Sequence, residues 1–161
     1  MITLPNPEPR LTQISREMKR RLSQAFPSVP IYEGSGGVWG VWTQMLPCIH
    51  LFELMATYRE HPRGIYTVHQ PFQFEYITKL KDRINMYQEG RIKSSLVQKA
   101  LELDEFLVQN KGMDNEGPAL VTKFSITFQE IVEVIPNTLD CALQYELVYT
   151  DRFYGYNPSC C

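Results

Sequence analysis

Two runs of alternating residues near the C-terminal end constrain this chain more than any other feature. Leu120, Thr122, Phe124, Ile126 and Phe128 alternate with Val121, Lys123, Ser125, Thr127 and Gln129. After Pro136-Asn137-Thr138, the residues Cys141, Leu143, Tyr145, Leu147 and Tyr149 alternate with Ala142, Gln144, Glu146 and Val148. A period of two is that of a strand with one face on a core. Two such runs joined by turn-forming residues predict an antiparallel hairpin.

A second hairpin is predicted upstream. Pro47 to Tyr58 reads as a strand apolar on both faces, Tyr58 to Gly64 as a charged turn, and Ile65 to Thr78 as the returning strand. In that strand Phe72, Phe74 and Tyr76 oppose Gln73 and Glu75, while His69-Gln70-Pro71 predicts a bulge or an exposed edge, because proline has no donor for a central ladder. Val29 to Glu33 predicts a short edge strand. Two helices complete the pattern. Leu11, Ile14, Met18, Leu22, Ala25 and Phe26 line one side of a helix that stops at Phe26-Pro27. Ile92, Leu96, Ala100, Leu103 and Leu107 recur at helical spacing over roughly 91–109, until Asn110-Lys111-Gly112.

Hairpins separated by helices speak against a doubly wound parallel sheet. The expected class is α+β, with an antiparallel sheet of about four to five strands and two amphipathic helices packed on one face. The 161 residues fit a single domain, with residues 1–10 as an extended arm carrying Pro5, Pro7 and Pro9, and 152–161 as an aromatic tail.

Composition narrows the function. Hydrophobic residues are 43% and charged residues 21%, as in globular proteins and not in disordered ones. A formal net charge of −2 argues against sequence-independent nucleic-acid binding, which needs a basic field to displace counterions. The start MITLPNPEPR lacks a signal-peptide pattern, and no apolar run reaches the roughly 18 residues of a membrane span, so a non-secreted, non-membrane protein is expected. Among the four cysteines no CxxC occurs, and the adjacent Cys160 and Cys161 have no second pair to complete a zinc site. Cys48 and Cys141 sit in apolar runs, as small hydrophobes.

No constellation forces a particular chemistry. Gly34-Ser35-Gly36-Gly37 invites a phosphate-loop reading, but no lysine follows before Pro47, so a plain flexible loop is expected. Cys48 and His50 would share a strand face, yet a Cys–His nucleophile needs an orienting third group that nothing here dictates. A hairpin would bring His50 near His69, and Glu53 is an unusual carboxylate in an apolar strand. No catalytic residue, cofactor or metal site is expected. Arg16, Lys19, Arg20 and Arg21 form a basic cluster, with Arg16 and Arg20 on one helix face, read first as a solvated surface and second as a docking surface. Trp39 and Trp42 near a glycine-rich loop, and Phe153, Tyr154 and Tyr156 in the tail, fall outside regular patterning. Large aromatics so placed suit interface anchors, or fold back over their own core.

In order and spacing the chain resembles the tail-terminator and head–tail joining proteins of tailed phages. The resemblance runs from Leu11 to Asp151. It rests on an opening helix ending in Phe26-Pro27-Ser28-Val29-Pro30-Ile31-Tyr32, a glycine-rich loop, a hairpin from Pro47, a helix, and a last hairpin ending in Leu147-Val148-Tyr149-Thr150-Asp151. It implies a non-enzymatic virion protein, made in the host cytoplasm, that forms a homohexameric ring. That ring would cap the tail tube, dock to the head connector and let DNA pass through its opening. The tryptophan-bearing loop and the Tyr-rich, Cys-Cys terminus depart from the family and leave another neck or baseplate position open. The alternative of a different class is a ligand-binding or enzymatic domain with a pocket around Cys48, His50, Glu53 and His69.

Overall fold

A computed structural model describes residues 10–34, 46–101 and 123–152 of the chain. Helix α1 spans Arg10–Ala25 and buries Ile14, Met18 and Leu22 completely, at the i, i+4, i+8 spacing that lines one helix face. Phe26 N–H donates to the carbonyl of Leu22 at 2.8 Å, closing the last turn directly before Pro27. Of the expected N-terminal arm only Arg10 is described, and it opens this helix.

Six strands follow: β1 (Ile31–Glu33), β2 (Cys48–Glu53), β3 (Thr57–His61), β4 (Ile65–Lys79), β5 (Lys123–Ile135) and β6 (Thr138–Arg152). They form one sheet in the order β1-β2-β4-β6-β5, with β3 also on β4. All pairs are antiparallel except β1 with β2, where the Ile49 amide donates to the Pro30 carbonyl at 2.9 Å. The protein is therefore α+β, with six strands where four to five were expected.

Three strand expectations need correction. Tyr58 to His61, predicted as a turn, is strand β3, and the reversal is only Pro62-Arg63-Gly64, with φ of 70° and 67° at Arg63 and Gly64. The segment His69-Gln70-Pro71 is neither bulged nor at an edge. It lies within the central strand β4, which pairs along its whole length with β6. The alternation of β5 breaks at Thr127: Ile126 pairs with Tyr145 but Phe128 with Gln144, so Phe124 and Ile126 share one face while Phe128 occupies the other. The Pro136-Asn137 reversal is as expected, with Asn137 at φ 64°.

Helix α2 spans Met86–Leu101. Both helices cover the face carrying Phe72, Phe74, Tyr76, Leu143 and Tyr145: Phe26 packs on Tyr76 at 5.5 Å between ring centroids, and the Lys93 ammonium lies 5.5 Å above the same ring. Stacked Phe124 and Tyr145 (4.4 Å) and edge-on Phe74 and Tyr145 (5.9 Å) tie β4, β6 and β5 together on that face. Burying each such ring contributes about 2–3 kcal/mol. Cys48 and Cys141 are both free and buried, filling core volume as expected. Among the described residues, no helix is long and apolar enough to cross a membrane.

Candidate interaction surface

The basic cluster of α1 is largely engaged within the chain. Glu17 accepts from the Nε of Arg20 at 2.8 Å and from the Nε of Arg21 at 3.0 Å. The hydrogen bond from Arg20, then that from Arg21, holds its carboxyl below the usual range against the opposing effect of partial burial. Arg21 is buried, and Lys19 approaches Glu33 at 3.5 Å. Arg16 and Arg20 remain exposed. Of the other expected interface residues, Trp39, Trp42, Phe153, Tyr154 and Tyr156 lie outside the described residues.

Helix α2 is rotated relative to the expected stripe. Its buried face carries Gly90, Ser94, Val97 and Leu101, whereas Ile92 and Leu96 are 54% and 41% exposed. Ala100 is half-buried, and Leu103 and Leu107 lie outside the described residues. The cause is steric. A Cβ at Gly90 would sit 2.4 Å from Cγ2 of Ile131, so the helix approaches β5 at the one residue without a side chain. Because the helix starts at Met86, earlier than expected, Gly90 falls within its early turns. Gly90, Ser94, Val97 and Leu101 also have helical spacing, and that small-residue stripe was the signal for the inward face.

The remaining outward face of α2 holds Tyr87, Gln88, Arg91, Ser95 and Lys99 beside Ile92 and Leu96, so it is apolar and cationic. Charge is divided across the fold. The two helices carry eight arginines and lysines against Glu17 and Glu89 only, in a chain of net charge −2. On the sheet face away from the helices, β5 and β6 present the accessible carboxylates Glu130 and Glu146, with Lys123 on the same face, while Glu75 and Asp140 are buried.

That rear face also holds Cys48, His50 and His69 of the alternative reading. Register places His50 opposite Glu75, with Cys48 opposite Ile77 and Asp140 on the other flank of Ile77. Burial lowers the His50 pKa, so the ring is neutral at pH 7. Burial also raises Glu75, against a hydrogen bond from Gln73 at 2.6 Å. Burial, aided by Glu75 and Glu130, pushes Asp140 up to about 8. The Cys48 thiol is pushed up to about 11, by burial first and then by Asp140 and Glu75, which is the opposite of an activated nucleophile. Glu53 lies on the helix side, where Ser15 Oγ donates to it at 3.0 Å. His69 pairs with Thr57 and Val148 and contacts Glu146 at 3.2 Å, far along β4 from Glu75. Cys48 and His50 thus share a strand face as expected, whereas Glu53 lies on the other face and His69 far along β4. A cleft of about 330 Å³ between α1 and the β1–β2 edge is lined by Ser15, Glu33, Gly34, Leu51 and Glu53, without a histidine or cysteine among the described residues. Sequence reasoning passed over Asp140, although its place one residue before the inward run from Cys141 puts it on the rear face.

No known protein family matches the chain, and no curated protein is significantly similar to it.

Proposed function

We propose that this chain is a structural assembly protein that acts by binding further copies of itself and neighbouring proteins of a larger particle. The observation carrying the reading is the outward Ile92–Leu96 stripe of α2: an apolar face turned to solvent on a helix whose other side already fills the core. The excess of cations on the helices and the Glu130–Glu146 patch on the other side of the sheet support it, since complementary charge steers and orients association. The order-and-spacing resemblance supports a ring at the end of a phage tail tube, between tube and head connector, as the particular role. Electron microscopy of the purified chain mixed with isolated tail tubes tests that role. Rings seated on tube ends are expected, and tubes with bare ends in the presence of excess protein contradict it.

The second reading, a ligand-binding or enzymatic domain near His50, draws on the His50–Glu75 register pair. Against it stand the raised Cys48 thiol and the separation of Glu53 and His69 from His50. A turnover lost in His50→Ala would support it.

A further inference from the structure

We infer that the outward face of α2 in one copy seats on the rear of the β5–β6 hairpin of a second copy, Ile92 and Leu96 against Phe128, with Arg91 and Lys99 facing Glu130 and Glu146. The inference rests on the assembly reading and names its interface.

Among the described residues neither helix covers the hairpin surface and no strand covers the outward face of α2, and the two match in kind. Phe128 is 46% exposed on the face that the helices leave uncovered, put there by the bulge at Thr127. Glu130 flanks it along β5, and Glu146 lies diagonally beyond its partner Gln144 on β6. The outward face of α2 repeats this arrangement with inverted sign, an apolar centre between Arg91 and Lys99.

The spacings agree as well. Eight residues of helix separate Arg91 from Lys99 by about 12 Å. Glu130 pairs with Ala142, four residues along β6 from Glu146, which sets the two carboxylates about 14 Å apart. Each cation therefore meets one of the two carboxylates when the helix lies along the hairpin. His69 already contacts Glu146, and Lys123 stands further along β5, beyond the pair. A patch of one kind meeting a patch of another on the next copy is a heterologous contact, which closes into a ring or runs on as a filament.

The test uses two charge-reversed full chains. One carries Arg91→Glu and Lys99→Glu, the other Glu130→Lys and Glu146→Lys. Each alone opposes like charges in the contact, and its self-association, read by sedimentation velocity, weakens about 100-fold relative to the parent chain. Mixed in equal amounts they regain the parent's sedimentation, because each variant's reversed patch meets its complement and its unaltered patch meets the other's. Circular dichroism of each variant confirms the fold, and Ile92→Ser with Leu96→Ser gives the same loss without altering charge. If the parent associates and either reversed variant associates equally well, this interface is wrong while the assembly reading stands. If both variants dissociate and the mixture stays dissociated, this interface is again wrong. A parent that never associates removes both.

Discussion

Gln70 donates its side-chain amide to the carbonyl of Leu54 at 2.6 Å, taking the place of the backbone donor that Pro71 lacks. The Leu54 amide donates to the Pro71 carbonyl at 3.0 Å, and in an antiparallel pair the reciprocal bond would come from the amide of residue 71. Proline cannot make it, so the buried Gln70 side chain does, and a proline sits inside the longest-paired strand of the sheet. The break between β2 and β3 falls at this point.

Gln70→Leu leaves the Leu54 carbonyl without that donor and is expected to cost about 1–3 kcal/mol in urea unfolding. Pro71→Ala restores a backbone N–H. In that background the cost of Gln70→Leu is expected to fall by at least about 1 kcal/mol, a coupling that a double-mutant cycle measures directly. Equal costs in both backgrounds contradict the substitution of donors.

Gly90→Ala improves helix propensity by about 1 kcal/mol, yet its Cβ would meet Ile131 at 2.4 Å. Overpacking of that kind costs about 1–3 kcal/mol. A net loss of stability is expected, with the sign reversing in an Ile131→Ala background, where the obstruction is gone.

The contribution of Asp140 to stability is expected to fall as pH rises from about 4 to about 8. An unfolded aspartate releases its proton near 3.8, whereas Asp140, buried with Glu75 and Glu130 nearby, holds it to about 8. At this group the folded chain therefore binds more protons across that window, and its contribution declines until the folded group has titrated. Glu75, raised by burial, acts in the same direction. Asp140→Asn removes its share of the decline and is expected to stabilise the fold at pH 8 by on the order of 3 kcal/mol. Urea unfolding of both chains at pH 5 and pH 8 checks this, and an advantage of Asp140→Asn over the parent that does not grow from pH 5 to pH 8 contradicts it.

Local signals carried much of the fold. Helix α1, the β5–β6 hairpin and the alternation of Phe72, Phe74 and Tyr76 were legible because each depends on periodicity and on turn residues adjacent in sequence. What escaped depends on tertiary partners. β3 reads as a charged turn because Tyr58-Arg59-Glu60 lies exposed at an edge and takes its order from pairing with β4. Pro71 is tolerated only through Gln70, and the face of α2 is chosen by the approach of Gly90 to Ile131, not by the larger Ile92 and Leu96. Phe128 reaches the rear face through a bulge that no alternation reveals. For the candidate surface, Arg16, Lys19 and Arg20 are exposed, as a solvated helix face requires, whereas Arg21 of the same basic cluster is buried. The α2 stripe was found but assigned to the core.

The most direct measurement of the central claim is the mass of the purified chain in solution by sedimentation equilibrium, over a range of concentrations at low and high salt. Association to a whole-number multiple of 18.7 kDa, weakening as salt screens the opposed charges, is the predicted result. A mass of 18.7 kDa at every concentration and salt would contradict the account.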